Sequence, residues 1–207
     1  MRVEVSKQVL TSIHSIGVGT SADDIAPIIT QIALKREGDN LRAIATDRYV
    51  IVSGLYKNAT FTDWADEEEI LVDPKRLKDA VNISKANKYD ISPVEIVKDE
   101  ETGAVSALLN SVTSIDLGGV TGSFPPVMKL FPTDEPKGAG SLNIRPDFLA
   151  KLAKVLPPEV RPERNRVWRF EFRTSPESNK PQPVYAQYSD ADTYKLEALI
   201  QPALPKR

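Results

Sequence analysis

The stretch Ile70-Leu71-Val72-Asp73-Pro74-Lys75-Arg76-Leu77-Lys78-Asp79-Ala80-Val81-Asn82-Ile83-Ser84-Lys85 changes its hydrophobic period at a single point. Ile70–Val72 is a short apolar run that suits a strand. Asp73 and Pro74 suit a helix start, because aspartate caps free backbone N–H groups and proline is tolerated in the first turn. Leu77, Ala80, Val81 and Ser84 then recur at helical spacing and predict one buried stripe. Strands over Val94–Lys98, Ala104–Leu109 and Val112–Leu117 follow, the first two joined through Glu101-Thr102-Gly103. The unit reads strand, helix, three strands.

The same order occurs twice more. Upstream, the strand Val3–Val5 meets Ser6 as a helix cap. Val9, Leu10, Ile13 and Ile16 then keep helical spacing until Gly17 stops it. Strands over Ile28–Lys35, Leu41–Thr46 and Tyr49–Tyr56 complete that copy, with the turn Glu37-Gly38-Asp39-Asn40 as a hairpin signal. Downstream, Ser141–Ile144 is the leading strand and Pro146 starts a helix. Its apolar face is Phe148, Leu149, Leu152, Val155 and Leu156, and Pro157-Pro158 ends it. Strands over Val167–Arg173, Val184–Tyr188 and Tyr194–Ile200 close the chain, and Trp168, Phe170 and Phe172 share one face of the first.

The connectors fit these cuts. Lys57–Glu68 is polar and acidic, and Phe131–Gly140 carries two prolines and two glycines among its charges. The expected organisation is one domain over residues 1–132, holding units at about 1–56 and 69–120. A linker over 133–140 and a third unit over 141–207 follow. The fold class is α+β, with three repeated β-α-β-β-β units and helices on one side of antiparallel sheets.

Composition narrows the function. The 207 residues include no cysteine and one histidine, His14. That excludes disulfide scaffolds, thiol nucleophiles, iron–sulfur clusters and histidine-rich metal sites, so no cofactor or metal is expected. No apolar run reaches the length of a membrane span, and Met1–Ser6 alternates like a strand instead of opening a secretory signal. A cytoplasmic protein is expected.

The net charge of -2 hides an uneven distribution. The helical segments Ser6–Ile16, Pro74–Lys88 and Pro146–Leu156 carry +1, +4 and +1, so the remainder must carry -8. Lys75, Lys78, Asn82 and Lys85 form one ridge, Lys151 and Lys154 lie three apart, and Lys7, Thr11 and His14 lie together. Lysines solvate many exposed helix faces. Three net-positive helices at equivalent places in an acidic chain instead point to a phosphate backbone, met without sequence preference. The candidate DNA-facing residues are Lys7, Lys75, Lys78, Lys85, Lys151 and Lys154.

Other signals carry less. Gly17-Val18-Gly19-Thr20-Ser21-Ala22 matches a phosphate-cradling string but follows a helix, so it reads as a helix stop and loop. Asn58-Ala59-Thr60 and Asn82-Ile83-Ser84 match glycosylation sequons without a secretory context. Trp168, Phe170 and Phe172 suit a sheet core better than a base-stacking platform. No acid–base or nucleophile constellation suggests catalysis, and no enzyme is expected.

Three strings resemble a known family together: Leu41-Arg42-Ala43-Ile44-Ala45-Thr46-Asp47-Arg48-Tyr49, Phe124-Pro125-Pro126-Val127-Met128-Lys129-Leu130-Phe131-Pro132 and Leu199-Ile200-Gln201-Pro202-Ala203-Leu204-Pro205. In order and spacing they resemble the beta sliding clamp of bacterial DNA polymerase III, in a shortened, three-unit version. The resemblance implies a DNA-clamp-like fold and a non-enzymatic ring, with helices around duplex DNA and sheets outside. It also implies a processivity factor for DNA replication whose polymerase and clamp-loader partners dock peptides in an apolar pocket. That pocket would use Ile29, Thr46, Tyr49, Ile51, Pro125, Leu130, Leu199, Pro202 and Leu204.

Arg48-Tyr49 stands where the family has Gly-His, and Gln201, Ala203 and Leu204 stand where it has Met, Met and Arg. A family ring holds twelve units, so three per chain implies a homo-oligomer of four chains; four times 22.9 kDa is about 92 kDa. The alternative is a clamp-fold interaction module that binds partner peptides or another clamp without encircling DNA.

Overall fold

The computed structural model describes residues 1–57, 59–66, 68–86, 91–110, 113–131, 144–155, 168–172, 182–190 and 194–202. Strand β1 (Arg2–Val5) runs into helix α1 (Lys7–Ile16), and Ser6 caps it by accepting the Val9 N–H at 3.2 Å. Strands β2 (Ile32–Glu37), β3 (Asn40–Thr46), β4 (Val50–Tyr56), β5 (Thr60–Thr62) and β6 (Glu69–Val72) follow. Helix α2 (Pro74–Ala86) begins where Asp73 Oδ1 accepts the Lys75 N–H at 2.7 Å. It buries Leu77, Ala80, Val81 and Ser84, the four residues that its spacing predicts. Strands β7 (Val94–Lys98), β8 (Val105–Leu109) and β9 (Thr113–Asp116) come next. Helix α3 (Pro146–Val155) and strands β10 (Arg169–Glu171), β11 (Val184–Asp190) and β12 (Tyr194–Ile200) complete the set.

Some expectations need correction. Ile28–Thr30 is not strand: Pro27 opens a 3-10 turn, closed by the Thr30 hydroxyl donating to the Pro27 carbonyl at 2.7 Å, so β2 starts only at Ile32. The polar connector after Tyr56 holds β5, which its composition concealed. Leu149 and Phe172 are 43% and 40% exposed, beyond the apolar stripes assigned to them. Residues 133–140, most of the leading strand Ser141–Ile144, Leu156 and Leu204 lie outside the described residues.

Among the described residues all strand pairings are antiparallel, in two sheets. One has the order β5-β1-β7-β8-β9, the other β10-β11-β12-β4-β3-β2-β6. The leading strands are exchanged: β1 pairs with β7 beyond α2, while β6 pairs back with β2. The last strand of the chain joins the larger sheet edge to edge, β12 against β4 from Tyr194↔Tyr56 to Ile200↔Val50.

Strand alternation sorts the larger sheet into two faces. Ile32, Leu34, Leu41, Ala43, Val50, Val52, Leu196, Ala198 and Ile200 join the main core, which also takes the apolar faces of all three helices. The alternate residues Ala33, Ile44, Ile51, Leu71, Tyr185 and Leu199 form a smaller cluster, closed by Phe124 and edged by Met128 and Phe131. The helices therefore cover one side, and the segment around residues 124–131 covers part of the other.

Gly54 secures the junction of β4 with α1. A Cβ there would stand 2.7 Å from the Tyr56 hydroxyl oxygen and 3.1 Å from Leu196 Cδ2, while the Tyr56 and Ser12 hydroxyls are 3.0 Å apart in the core. Gly54→Ala is expected to push the Tyr56 ring off Ser12 and destabilise the fold by ~1–3 kcal/mol. A lowered urea midpoint with unchanged slope is the expected reading, and an unaltered midpoint is the contrary one.

Candidate nucleic-acid interface

Three helices meet on the side away from the small apolar cluster. Thr11, His14 and Ser15 of α1, Lys75, Lys78, Asn82 and Lys85 of α2, and Lys154 of α3 line one cleft of about 640 Å³. Helical spacing explains the ridge on α2, where positions three and four apart share a face. The α1 hydroxyls are turned inward on their own backbone: Thr11 donates to the Lys7 carbonyl at 2.9 Å and Ser15 to the Thr11 carbonyl at 3.1 Å. Among the described residues, the charged groups lining the cleft are therefore four lysines, with one imidazole. Burial and then the charges of Lys78 and Lys85 hold His14 below its ordinary pKa of 6.5, so it is neutral at pH 7.

Four of the six candidate DNA-facing lysines, Lys75, Lys78, Lys85 and Lys154, are thus brought together. Lys7 lines a separate cleft with Ile83, Ser84, Asn110 and Thr113. Lys151 is drawn away from the wall: its ammonium pairs with Asp47 in the turn between β3 and β4, and only 25% of its side chain is exposed. No local pattern announces that contact, since the partners are 104 residues apart in sequence. Among the described residues, no group of three or more His, Asp or Glu side chains is placed to hold a metal, and no helix is long and apolar enough to cross a membrane.

Of the candidate pocket residues, Thr46, Tyr49, Ile51 and Leu199 lie at the β3–β4 turn and the β4–β12 junction. Asp47 Oδ1 accepts the Tyr49 and Val50 N–H groups at 3.0 and 2.8 Å, and the Thr46 hydroxyl donates to the Val50 carbonyl at 2.9 Å. This Thr-Asp pair builds the turn, and Arg48 sits in it at φ +77°, a conformation that favours glycine. Tyr49 is 58% exposed, its ring stacked near Phe148 of α3 with centroids 6.3 Å apart. Ile51 and Leu199 face each other across β4 and β12 within the small apolar cluster. Ile29 and Pro202 are buried, Pro125 is exposed and Leu130 is 64% exposed.

A polar network underpins the same junction, unannounced by any motif. Arg42 on β3 donates to Ser53 on β4 at 2.9 Å, to Glu197 on β12 at 3.2 Å and to Glu37 at 3.0 Å. The Tyr185 hydroxyl and the Lys195 ammonium reach the other Glu197 oxygen at 2.5 and 2.7 Å. Burial by itself pushes the Glu197 carboxyl up, but the hydrogen bonds and charges of Lys195, Tyr185 and Arg42 outweigh it, leaving its pKa below 4.5. Burial, followed by Glu197, pushes the Tyr185 phenol well above its ordinary value.

No family model matches this chain, and no curated protein matches it. Solved structures do. The chain is similar to the DNA polymerase III beta chain of Streptococcus pneumoniae, with a TM-score of 0.61 and 15% identity over 99% of this chain and 65% of that one. Against the Bacillus subtilis DNA polymerase sliding clamp the TM-score is 0.53 at 16% identity, over 98% of this chain and 49% of that one. Against A. fulgidus PCNA, solved with the C-terminal region of FEN-1, it is 0.59 at 11% identity, over 100% and 99%. The chain thus spans about half to two thirds of the bacterial clamps' length. Its helices on one side, its exchanged leading strands and these superpositions agree: the chain has the DNA-clamp fold.

Proposed function

We propose that the chain is a DNA sliding clamp, a processivity factor that holds duplex DNA without reading its sequence and tethers replication proteins. The observation that carries this reading is the convergence of Lys75, Lys78, Lys85 and Lys154 on one helical wall of a clamp fold. Ammonium groups on flexible stems meet phosphates as point charges and offer no geometry for a base edge. Held by many screened contacts, the duplex slides instead of stalling. The role is topological and non-enzymatic, in the cytoplasm, and needs no cofactor. Lys7 and Lys151 are assigned the flanks of the DNA-facing wall, Lys151 only where its pair with Asp47 opens.

The outer face receives polymerase and clamp-loader peptides. Ile51 and Leu199 form the apolar base, with Ile29, Thr46, Tyr49, Pro125, Leu130 and Pro202 assigned around it; Leu204, assigned to the same pocket, lies outside the described residues. Tyr49 in place of histidine gives the pocket a larger, stacked rim and selects a different peptide from that of the bacterial clamps.

Residues 1–132 form one two-unit domain in this reading and 141–207 a third unit, so four chains make a twelve-unit ring. Within the chain, β12 pairs edge to edge with β4, and the ring would repeat that kind of join between chains. Strand β9 ends its sheet with no second strand partner among the described residues, and such an edge favours another strand. Light scattering at micromolar concentration is expected to give about 92 kDa, four times 22.9 kDa. Two duplexes of unrelated sequence should bind equally, with affinity falling steeply as salt rises. A 22.9 kDa particle without salt-dependent duplex binding would favour the alternative interaction module instead.

A further inference from the structure

We propose that the cleft between α1, α2 and α3 seats one phosphodiester of bound duplex against His14, and that the imidazole takes up a proton as the phosphate enters. This rests on the duplex-binding reading above and adds a named seat and a proton to it.

The charge arrangement makes the case. His14 is half-buried and is the one titratable side chain that α1 contributes to the cleft lining. From α2 it faces Lys75, Lys78 and Lys85, and from α3 Lys154; among the described residues the lining holds no acidic side chain. Gly17 and Val18 bring no charge, and on the buried side of α1 the β4 residue Tyr56 engages Ser12 instead. Burial first, and then the charges of Lys78 and Lys85, hold the imidazole neutral. An entering phosphodiester reverses that balance, because a nearby opposite charge favours the protonated ring. The protonated ring then donates to the phosphate, a charge-assisted contact stronger than one from the neutral ring. Val18, Pro74 and Val81 line the same cleft and give the flanking deoxyribose an apolar surface. The consequence is that duplex affinity rises as pH falls through the histidine range, while lysines alone would leave it flat.

His14 is the only histidine in the chain, so its imidazole gives a single assignable NMR signal. The test follows that signal through a pH titration of the full chain in three samples: protein alone, protein saturated with a blunt duplex, and protein with inorganic phosphate. Saturation is measured by fluorescence anisotropy in the same tubes. The midpoint is expected below 6.5 for the protein alone and higher by about one pH unit or more with duplex, which corresponds to roughly tenfold tighter binding on the acid side. His14→Gln should flatten the dependence of duplex affinity on pH through the histidine range. Duplex that saturates the protein without moving the midpoint overturns this inference and leaves the proposed function standing. Absence of duplex binding overturns both. A midpoint moved by inorganic phosphate but not by duplex makes the cleft a small-anion site and overturns the duplex seat.

Discussion

Reversing two charges on the α2 ridge, Lys75→Glu with Lys78→Glu, is expected to weaken duplex binding at least ~30-fold near physiological salt, with no loss of fold. Both side chains line the cleft and neither enters the core, so the substitutions remove no packing. Each lysine that neutralises a phosphate contributes about one unit to the slope of log affinity against log salt. The double variant should therefore show a slope shallower by about two, and glutamates in their place add repulsion. Circular dichroism melts should coincide with those of the unaltered protein. An unchanged salt slope would mean that the wall does not meet phosphates.

The second large effect concerns the β4–β12 junction. Arg42 and Glu197 are each about nine-tenths buried, with side-chain exposures of 10% and 9%. Arg42→Ala leaves Glu197 with less positive charge beside it and removes the donors to Ser53 and Glu37. Breaking one partner of such a pair costs about 3–5 kcal/mol, or a fall in Tm of roughly 10 °C for a chain of this size. The effect has a definite pH sign. The folded-state pKa of Glu197 lies below its ordinary 4.5, so the stabilisation is fully present above that value and fades as pH falls beneath it. Glu197→Gln should remove that part of the acid sensitivity while keeping much of the shape. Unfolding curves across this range check it, and parallel acid profiles for the two proteins would contradict it.

Much of the fold is legible because its information is local. Asp73-Pro74 and Ser6 announce helix starts through caps that involve only neighbouring N–H groups, and strand alternation separates Ile51 and Leu199 from Val50, Val52, Ala198 and Ile200 without any knowledge of the sheet. What escaped was tertiary. Residues 60–62 hold one apolar side chain, Phe61, too short a pattern to read as a strand, and they pair with the edge of β1 while Phe61 packs on the core. Lys151 keeps its helical spacing from Lys154, yet Asp47, brought close by the docking of α3 on the β3–β4 turn, captures it. The Arg42–Glu197 network spans five strands and has no signature in any one of them. His14 carries no signal of its own in the sequence, and only α2 and α3 opposite it make that position part of a cationic cleft.

Encirclement is tested most directly on a long duplex anchored at one end to a bead, with protein admitted over the free end and that end then blocked by a bulky protein. After a high-salt wash that dissolves ordinary phosphate contacts, the expected result is retention on the blocked duplex and release once a restriction enzyme cuts it. Equal release from blocked and cut duplexes would contradict a closed ring and leave this chain a basic-faced binder that never surrounds its DNA.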